Sequence, residues 1–151
     1  MQEHTGPEKI IPSSLADYLE VMMRGVFLSG ISWRVVEAKW PGIREAFRGF
    51  DPDKVASFGE RELDDLSHDT RVIRNRRKLE AIVHNARKIV ELDKIHGGFQ
   101  NYLRSHGGFD GTVASLKKEF KFLGDTYCYH FLYVVGEEVP SYEQWQAARK
   151  R

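Results

Sequence analysis

One long stretch of helical periodicity most constrains the fold of this chain. Between about Val72 and Ile95, apolar residues recur every three or four positions while charged residues occupy the opposite face. No segment shows the apolar and polar alternation of a half-buried strand bounded by hairpin turns, and no internal repeat occurs. The sequence therefore predicts an all-α fold in which this stretch forms the scaffold helix.

Shorter helices are predicted on both sides of the scaffold helix. The first begins after Ser13 or Ser14 and continues towards Gly30, and the second follows Ile31 and ends at Pro41, because proline interrupts helices. Further short helices are predicted at Gly42–Phe50, from Asp51-Pro52 onwards, and at Gly59–Leu66, Phe99–Arg104 and Val113–Glu119. Residues 1–12 are polar with two prolines, so we expect a flexible lead-in followed by a single helical domain over 13–151.

Cysteine and histidine usage argues against disulfides and metal sites. The chain of 151 residues can bury its own core, and its single cysteine, Cys128, lies within an apolar run where it packs as a small hydrophobic residue. The six histidines are scattered and no Cys pair is present, so we expect no metal and no cofactor. Apolar runs fall short of the roughly 18 residues of a membrane span, and we expect a cytoplasmic protein with no membrane contact.

Positive charge is clustered although the net charge is only +1. A nucleic-acid partner must therefore be argued from where the charges lie rather than from their sum. The clusters are Arg71, Arg74, Arg76, Arg77 and Lys78; Lys117, Lys118 and Lys121; and Arg149, Lys150 and Arg151.

A short hairpin between two predicted helices is a candidate phosphate site. The turn ends at Gly124, and the helix that follows begins with backbone N–H groups that have no partner within the helix and can bind a phosphate. Lys121 favours this interpretation, whereas Asp125 would repel a phosphate and is equally typical of an ordinary helix N-terminus. Both interpretations stay open from spacing alone.

Two further features are candidates for chemistry. The segment Gly25–Trp33 places aromatic residues beside small ones at a helix junction, where Trp33 can stack a nucleobase or simply pack in the core. Glu137, Glu138 and Glu143 follow the apolar helix after the hairpin. A carboxylate near a bound nucleotide can stabilise a cationic sugar or activate water, although most surface acids do neither.

Four ordered sequence blocks, spread between about Pro12 and Gly136, resemble the DNA-3-methyladenine glycosylase I family, within the helix-hairpin-helix superfamily of DNA glycosylases. The blocks are Ser29-Gly30-Ile31-Ser32-Trp33, Phe50-Asp51-Pro52-Asp53-Lys54-Val55-Ala56, Val72-Ile73-Arg74-Asn75-Arg76-Arg77-Lys78-Leu79-Glu80-Ala81 followed by Asn85-Ala86-Arg87, and Phe120-Lys121-Phe122-Leu123-Gly124. The resemblance implies a two-lobed helical glycosylase fold with the helix-hairpin-helix at about 113–135. It also implies an enzyme that flips an alkylated or labile purine out of duplex DNA and hydrolyses its N-glycosidic bond, leaving an abasic site.

The resemblance also implies roles for individual residues. Trp33 matches the family's base-stacking tryptophan, and Ile31 with Gly30 matches the wedge that fills the gap in the duplex. The hairpin from Lys121 to Thr126, including Gly124 and Asp125, would hold a DNA phosphate. Phe27 and Tyr18 are further candidate base-binding residues.

The chain departs from the family at three places. It lacks the N-terminal Tyr-His-Asp and Glu-Trp-Gly signature and the Cys and His residues that bind zinc, and Gly25 occupies the position of the base-recognising glutamate. In many superfamily members a catalytic Asp follows a Gly and a Pro beyond the hairpin, and here Gly136 and Pro140 precede Glu143, the candidate catalytic carboxylate. We expect a metal-independent monomer acting on damaged double-stranded DNA. The alternatives are a catalytically silent helix-hairpin-helix DNA-binding module and, less favoured, a helical interaction protein.

Overall fold

The fold is all-helical, as the sequence predicts. The computed structural model describes residues 9–149, and this part of the chain contains nine α-helices, a short 3-10 turn and no strand. The helices are α1 Leu15–Leu28, α2 Trp33–Ala46, α3 Pro52–Ala56, α4 Glu60–Ser67, α5 Arg76–His96, α6 Phe99–Leu103, α7 Phe109–Glu119, α8 Asp125–Val134 and α9 Tyr142–Arg149, with the 3-10 turn at Arg48–Phe50. None of these helices is long and apolar enough to cross a membrane.

Helix α5 is the scaffold of the fold. Its N-terminus is capped by Asn75, whose Oδ1 accepts a hydrogen bond from the backbone N–H of Lys78 at 3.2 Å. Its C-terminus ends at Gly97, whose left-handed φ of 71° suits glycine. The apolar face of the helix is buried and α5 packs against α1, α3, α4 and α6. The predicted scaffold helix is thus present, although it begins at Arg76 rather than Val72.

A single apolar core joins the helices on either side of α5. Helix α1 contributes Leu19, Met22, Met23 and Val26, all fully buried, and α1 also contacts α2, α3 and α8. Each fully buried side chain of this size stabilises the folded state by roughly 1.5–3 kcal/mol. Helices α1 and α5 contact each other, and together they also contact α2, α3, α4, α6 and α8. They therefore fix the positions of the loops that connect these helices.

The predicted end of the second helix at Pro41 is wrong. Helix α2 continues through Pro41 to Ala46. A proline inside a helix removes one backbone hydrogen bond and costs roughly 3 kcal/mol. Trp40 and Ile43, on either side of this proline, are buried in the core, and their packing holds the helix intact. The expected separate helix over 42–50 is therefore the last part of α2 and the 3-10 turn.

Both ends of the described chain pack against α8. The backbone N–H of Ile10, within the predicted lead-in, donates to Val134 O at 2.8 Å; residues 1–8 of that lead-in lie outside the described residues. Helix α9 docks through Trp145, whose ring stacks on Tyr129 with centroids 4.6 Å apart. The Tyr129 hydroxyl donates to Pro140 O at 2.8 Å and fixes the loop before α9.

Candidate nucleic-acid interface

The segment Ser29–Trp33, called the wedge segment below, joins α1 to α2 at the surface. Gly30 has a φ of 81°, and no heavy atom lies within 4 Å of the position that a Cβ would take there. Ser32 then caps α2 by accepting a hydrogen bond from Val35 N at 3.2 Å. The cap makes Trp33 the first residue of α2.

Trp33 differs from the other two tryptophans in its exposure. It is 57% exposed, whereas Trp40 and Trp145 are 5% and 7% exposed. Ile31, two residues earlier, packs partly against the core and is only half-buried. An exposed indole beside an exposed glycine and a half-buried isoleucine provides a stacking surface next to an apolar side chain, which are the two features that base stacking and wedging require.

Lys78 holds the start of the wedge segment. Its side chain is 5% exposed, and its ammonium group donates to Phe27 O at 3.3 Å and to Ser29 O, the carbonyl groups at the C-terminal end of α1. Burial lowers the pKa of this lysine. The sequence groups Lys78 with a basic cluster, because nothing local indicates that its partners lie 49 and 51 residues away.

The hairpin consists of α7, the turn 120–124 and α8. Gly124 is the N-cap residue of α8 and has no side chain to bond the first N–H groups of the helix. Phe122 in the turn is 37% exposed and has a left-handed φ of 62°, which a residue with a Cβ rarely adopts. The hairpin thus combines a helix N-terminus that has no side-chain cap with a strained turn.

Asn85 fixes the turn of the hairpin to α5. Its side chain is fully buried, its Oδ1 accepts from Lys121 N at 2.9 Å, and its Nδ2 donates to Lys121 O at 3.1 Å. Two neighbours on α5 hold the end of α7: His84 Nε2 lies 3.1 Å from Glu119 O, and Lys88 Nζ lies 3.2 Å from Glu119 Oε1. The hairpin backbone is therefore held by side chains from a helix outside the hairpin.

Charged groups surround the N-terminus of α8. The Asp125 carboxylate pairs with Lys117 Nζ at 2.8 Å, so its charge is partly offset by a lysine of the same hairpin. Arg149 Nη1 donates to Thr126 Oγ1 at 3.3 Å, and its guanidinium lies over the Trp145 ring. Helix α9 thus brings a further cation to the hairpin, which the sequence pattern did not indicate.

The basic cluster at 71–78 is largely neutralised by acids of the chain. Arg71 pairs with Asp69 and Glu45, and these partners raise its pKa. Arg76 is likewise surrounded by acids that raise its pKa, and its partners are Glu60, Asp64 and Glu80. With Lys78 buried, Arg74 and Arg77 are left as exposed cations at the start of α5.

Two candidate base-binding residues are part of the core. Phe27 is fully buried and makes edge contacts with Trp40 and Phe47 at centroid distances of 6.2 and 6.3 Å. Tyr18 is 7% exposed and packs edge-on against Phe99 at 5.0 Å. A base needs an accessible ring face, so in this conformation neither residue can stack one. Their aromatic spacing reflects core packing.

Tyr127 covers Gly25. A Cβ built on Gly25 would come 2.3 Å from Cδ2 and 2.4 Å from Cε2 of the Tyr127 ring, so a side chain at position 25 is excluded by the ring. The buried hydroxyl of Tyr127 donates to Val21 O at 2.5 Å, and burial raises its pKa. The space beside Gly25 is therefore occupied by a residue of the hairpin's second helix.

A carboxylate lies one helical turn beyond Trp33. Glu37 is half-buried, accepts a hydrogen bond from Arg24 Nη1, and is close enough to the Tyr127 hydroxyl to raise its pKa. Arg24 also lies over the Trp40 ring, 4.5 Å from its centroid. Residues four apart share a helix face, so Trp33 and Glu37 are on the same side of α2.

Glu143 is in the first turn of α9 and is exposed. It lines an open depression of about 520 Å³ together with Tyr129, Tyr133, Tyr142 and Lys9, whose ammonium lies 4.8 Å from the centroid of the Tyr133 ring. The other residues around this depression belong to the loop between α8 and α9. Glu143 thus lies near α8, whereas the wedge segment contacts α5 through the bond from Lys78 to Ser29 O.

Over residues 9–149, no three histidine, cysteine or acidic side chains lie close enough together to hold a metal ion.

Cys128 is fully buried, and burial raises the pKa of its thiol to about 12.

Comparisons with known proteins identify relatives of this chain. The family model described as methyladenine glycosylase matches residues 14–119. A DNA-3-methyladenine glycosylase of Haemophilus influenzae is 32% identical over 129 residues, covering 72% of this chain and 70% of the relative. DNA-3-methyladenine glycosylase 1 of Escherichia coli is 31% identical over 129 residues, covering 72% and 69%.

Solved structures give the same picture. The structure of 3-methyladenine DNA glycosylase I from Staphylococcus aureus that describes 3-methyladenine recognition has a TM-score of 0.74 and 26% identity, covering 89% of this chain and 81% of that chain. A variant of 3-methyladenine DNA glycosylase I in complex with 3-methyladenine has a TM-score of 0.75 and 26% identity, covering 88% and 83%.

Proposed function

The chain belongs to the methyladenine glycosylase family, and we propose that it is a monofunctional DNA glycosylase that hydrolyses the N-glycosidic bond of an alkylated or labile purine in duplex DNA. The relatives are named for this reaction on 3-methyladenine. The product would be a free base and an abasic site. Reaching the bond requires that the damaged nucleotide leave the base stack.

The exposure of Trp33 is the observation that carries this proposal. Large aromatic side chains are normally buried, and the other two tryptophans are. The face of an indole attracts cations, and purines alkylated at a ring nitrogen carry a positive charge in DNA. Trp33 would stack the flipped base, while Ile31 beside Gly30 would fill the space that the base leaves in the duplex.

The chemistry demands little from the protein. A cationic purine departs as a neutral molecule when its bond to C1′ breaks, so the leaving base needs no added proton. Water then adds to the positively charged sugar and loses a proton. We keep Glu143 as the candidate carboxylate that stabilises this sugar and accepts the proton.

Phosphate contacts would come from the hairpin and the exposed cations near it. The backbone N–H groups at the start of α8, which follows Gly124 and begins with Asp125 and Thr126, would bind one phosphate. Lys121 and Arg149 are the nearby cations. We propose a damaged double-stranded substrate, a monomeric enzyme without metal or cofactor, and a cytoplasmic location.

Base release from methylated duplex DNA tests the proposal. The purified protein is incubated with DNA treated with a methylating agent, and released bases are separated and identified while abasic sites are counted by strand cleavage in alkali. Release of 3-methyladenine with an equal number of abasic sites is the expected result. Tight duplex binding without any base release across a panel of damaged purines would contradict the enzymatic assignment.

One observation favours a second candidate, the catalytically silent DNA-binding module. The Tyr127 ring fills the space beside Gly25, where the family resemblance places the base-recognising glutamate. A silent module would retain salt-dependent duplex affinity and give no abasic product.

A further inference from the structure

Two buried polar side chains of α5 hold the two loops that the proposed function assigns to DNA. Lys78 bonds the backbone at the start of the wedge segment, and Asn85 bonds the backbone of the hairpin turn. They are seven residues apart in the sequence, which places them on the same face of α5 about 10 Å apart along its axis. One rigid helix therefore sets the separation of the two loops.

Both side chains form contacts that exceed what packing requires. Lys78 is a buried cation whose described partners are two main-chain carbonyls rather than a carboxylate, and burial of such a group is costly unless it is bonded. Asn85 uses its donor and its acceptor on one residue, Lys121, and so fixes both peptide groups of that residue. An apolar residue would fill either site without ordering a loop.

The contacts act on different parts of the interface. Without the Lys78 ammonium group, the carbonyls at the end of α1 lose a charged partner, and the backbone that leads to Ile31 and Trp33 is released. Without Asn85, the turn that contains Phe122 in its left-handed conformation is released, and the N–H groups at the start of α8 lose their fixed direction.

We propose that Lys78 and Asn85 are positioning residues for separate steps of the reaction: Lys78 orders the wedge segment for base flipping, and Asn85 orders the hairpin for phosphate binding. This inference rests on the proposed function. Neither residue touches the reacting atoms. Each would affect its own step, and a purely structural role would affect both steps alike.

The experiment compares Lys78→Met and Asn85→Leu with Ile89→Ala. Ile89 is fully buried on the same helix and contacts neither loop through a hydrogen bond, so its truncation is a control for loss of stability alone. Three quantities are measured on a duplex with a lesion next to 2-aminopurine: the fluorescence rise on base flipping, the dissociation constant as a function of salt, and kcat at saturating DNA.

We expect Lys78→Met to reduce both the fluorescence rise and kcat by about tenfold or more, which is the effect of losing a hydrogen bond to a charged group. The dissociation constant should stay nearly unchanged. We expect Asn85→Leu to weaken binding by about tenfold and to reduce the log–log salt slope by about 0.9, the value for one phosphate. At saturating DNA its kcat should stay close to wild type. Ile89→Ala should lower the melting temperature and leave all three quantities unchanged.

Milder variants guard against a failure to fold. Lys78→Gln keeps a donor for the carbonyls and should restore flipping relative to Lys78→Met, and Asn85→Asp keeps the acceptor for Lys121 N–H and should restore part of the salt slope. If both positions change the same quantities by the same factor, or if neither differs from Ile89→Ala, the inference is wrong. If the wild-type protein releases no base, the proposed function fails instead, while the binding comparison for Asn85 still decides that half of the inference.

Discussion

The ring of Tyr127 lies directly against the backbone of Gly25, and its hydroxyl donates a hydrogen bond to Val21 O one turn earlier on α1. The contact joins the second helix of the hairpin to the helix that leads into the wedge segment. Each residue requires the other, because only glycine leaves room for the ring and the ring fills the space that glycine leaves.

This contact predicts a strong coupling between the two positions. Gly25→Ala should destabilise the protein by about 1–3 kcal/mol, since the new Cβ would overlap the ring. Tyr127→Phe removes only the hydroxyl and should cost about 1 kcal/mol. In urea unfolding, Gly25→Ala should cost much less in a Tyr127→Leu background than alone. Additive free energies would show that the ring moves aside freely.

Trp33→Ala should lower kcat/KM by about ten- to a hundredfold, because base stacking on an aromatic ring is worth about 1–3 kcal/mol. The melting temperature should stay close to wild type, since more than half of the side chain is already exposed. Val35→Ala, in the same turn and 45% exposed, is the matched control and should retain activity. Trp33→Phe should retain part of the activity. Full activity of Trp33→Ala would remove this residue from the proposed site.

Glu143→Gln should lower kcat by about a hundredfold without weakening DNA binding, if this carboxylate supports the sugar cation. Glu37→Gln provides the comparison, because Glu37 lies one turn from Trp33 and is held by Arg24. We expect Glu37→Gln to change KM rather than kcat. The reverse pattern, with kcat lost in Glu37→Gln and unchanged in Glu143→Gln, would place the essential carboxylate on α2.

Asp125→Asn should tighten binding to duplex DNA. The substitution removes a negative charge from the N-terminus of α8 and frees Lys117, which pairs with it at 2.8 Å. The log–log salt slope should become steeper by about 0.9, as for one more phosphate contact. Asp110→Asn, in the first turn of α7 and at the opposite end of that helix from the turn 120–124, is the control and should leave both quantities unchanged. Weaker binding of Asp125→Asn would indicate that the ion pair orders the hairpin.

Cys128 should be unreactive in the folded protein. Its thiol is fully buried and its pKa is raised from 9.0 to about 12, so the reactive thiolate is absent at pH 8. A thiol reagent should label it only after unfolding. Because the raised pKa favours the neutral thiol in the folded state, its stabilising effect is complete below about pH 9 and is lost as the pH rises towards 12. Cys128→Ala should reduce that alkaline loss of stability, and rapid labelling of the native protein at pH 8 would contradict the prediction.

Local patterns in the sequence predict most of the fold. The periodicity of α5 and the helix that starts after Asp51 depend on neighbouring residues, and both are present in the structure. The predicted helix end at Pro41 is wrong because the free-energy cost of a proline within a helix is outweighed by packing that involves residues far along the chain.

Local sequence patterns predict less of the candidate site than of the fold. The exposure of Trp33 and the burial of Phe27 depend on tertiary packing, and aromatic spacing alone cannot separate them. Lys78 and Asn85 are buried and Arg87 is exposed, and the side chain of each bonds backbone groups 29 to 51 residues away. Adjacent residue types give no signal for such long-range contacts, so these anchors emerge only when the fold is known.

The acids around Arg71 and Arg76 affect how the protein would search a genome. Charge that is already neutralised within the chain releases no counterions on DNA, and counterion release supplies most of the affinity for undamaged sequence. Arg71 and Arg76 would therefore add little to the affinity for undamaged DNA, although both lie in a basic stretch of the sequence. The protein would leave undamaged DNA sooner than its number of basic residues suggests.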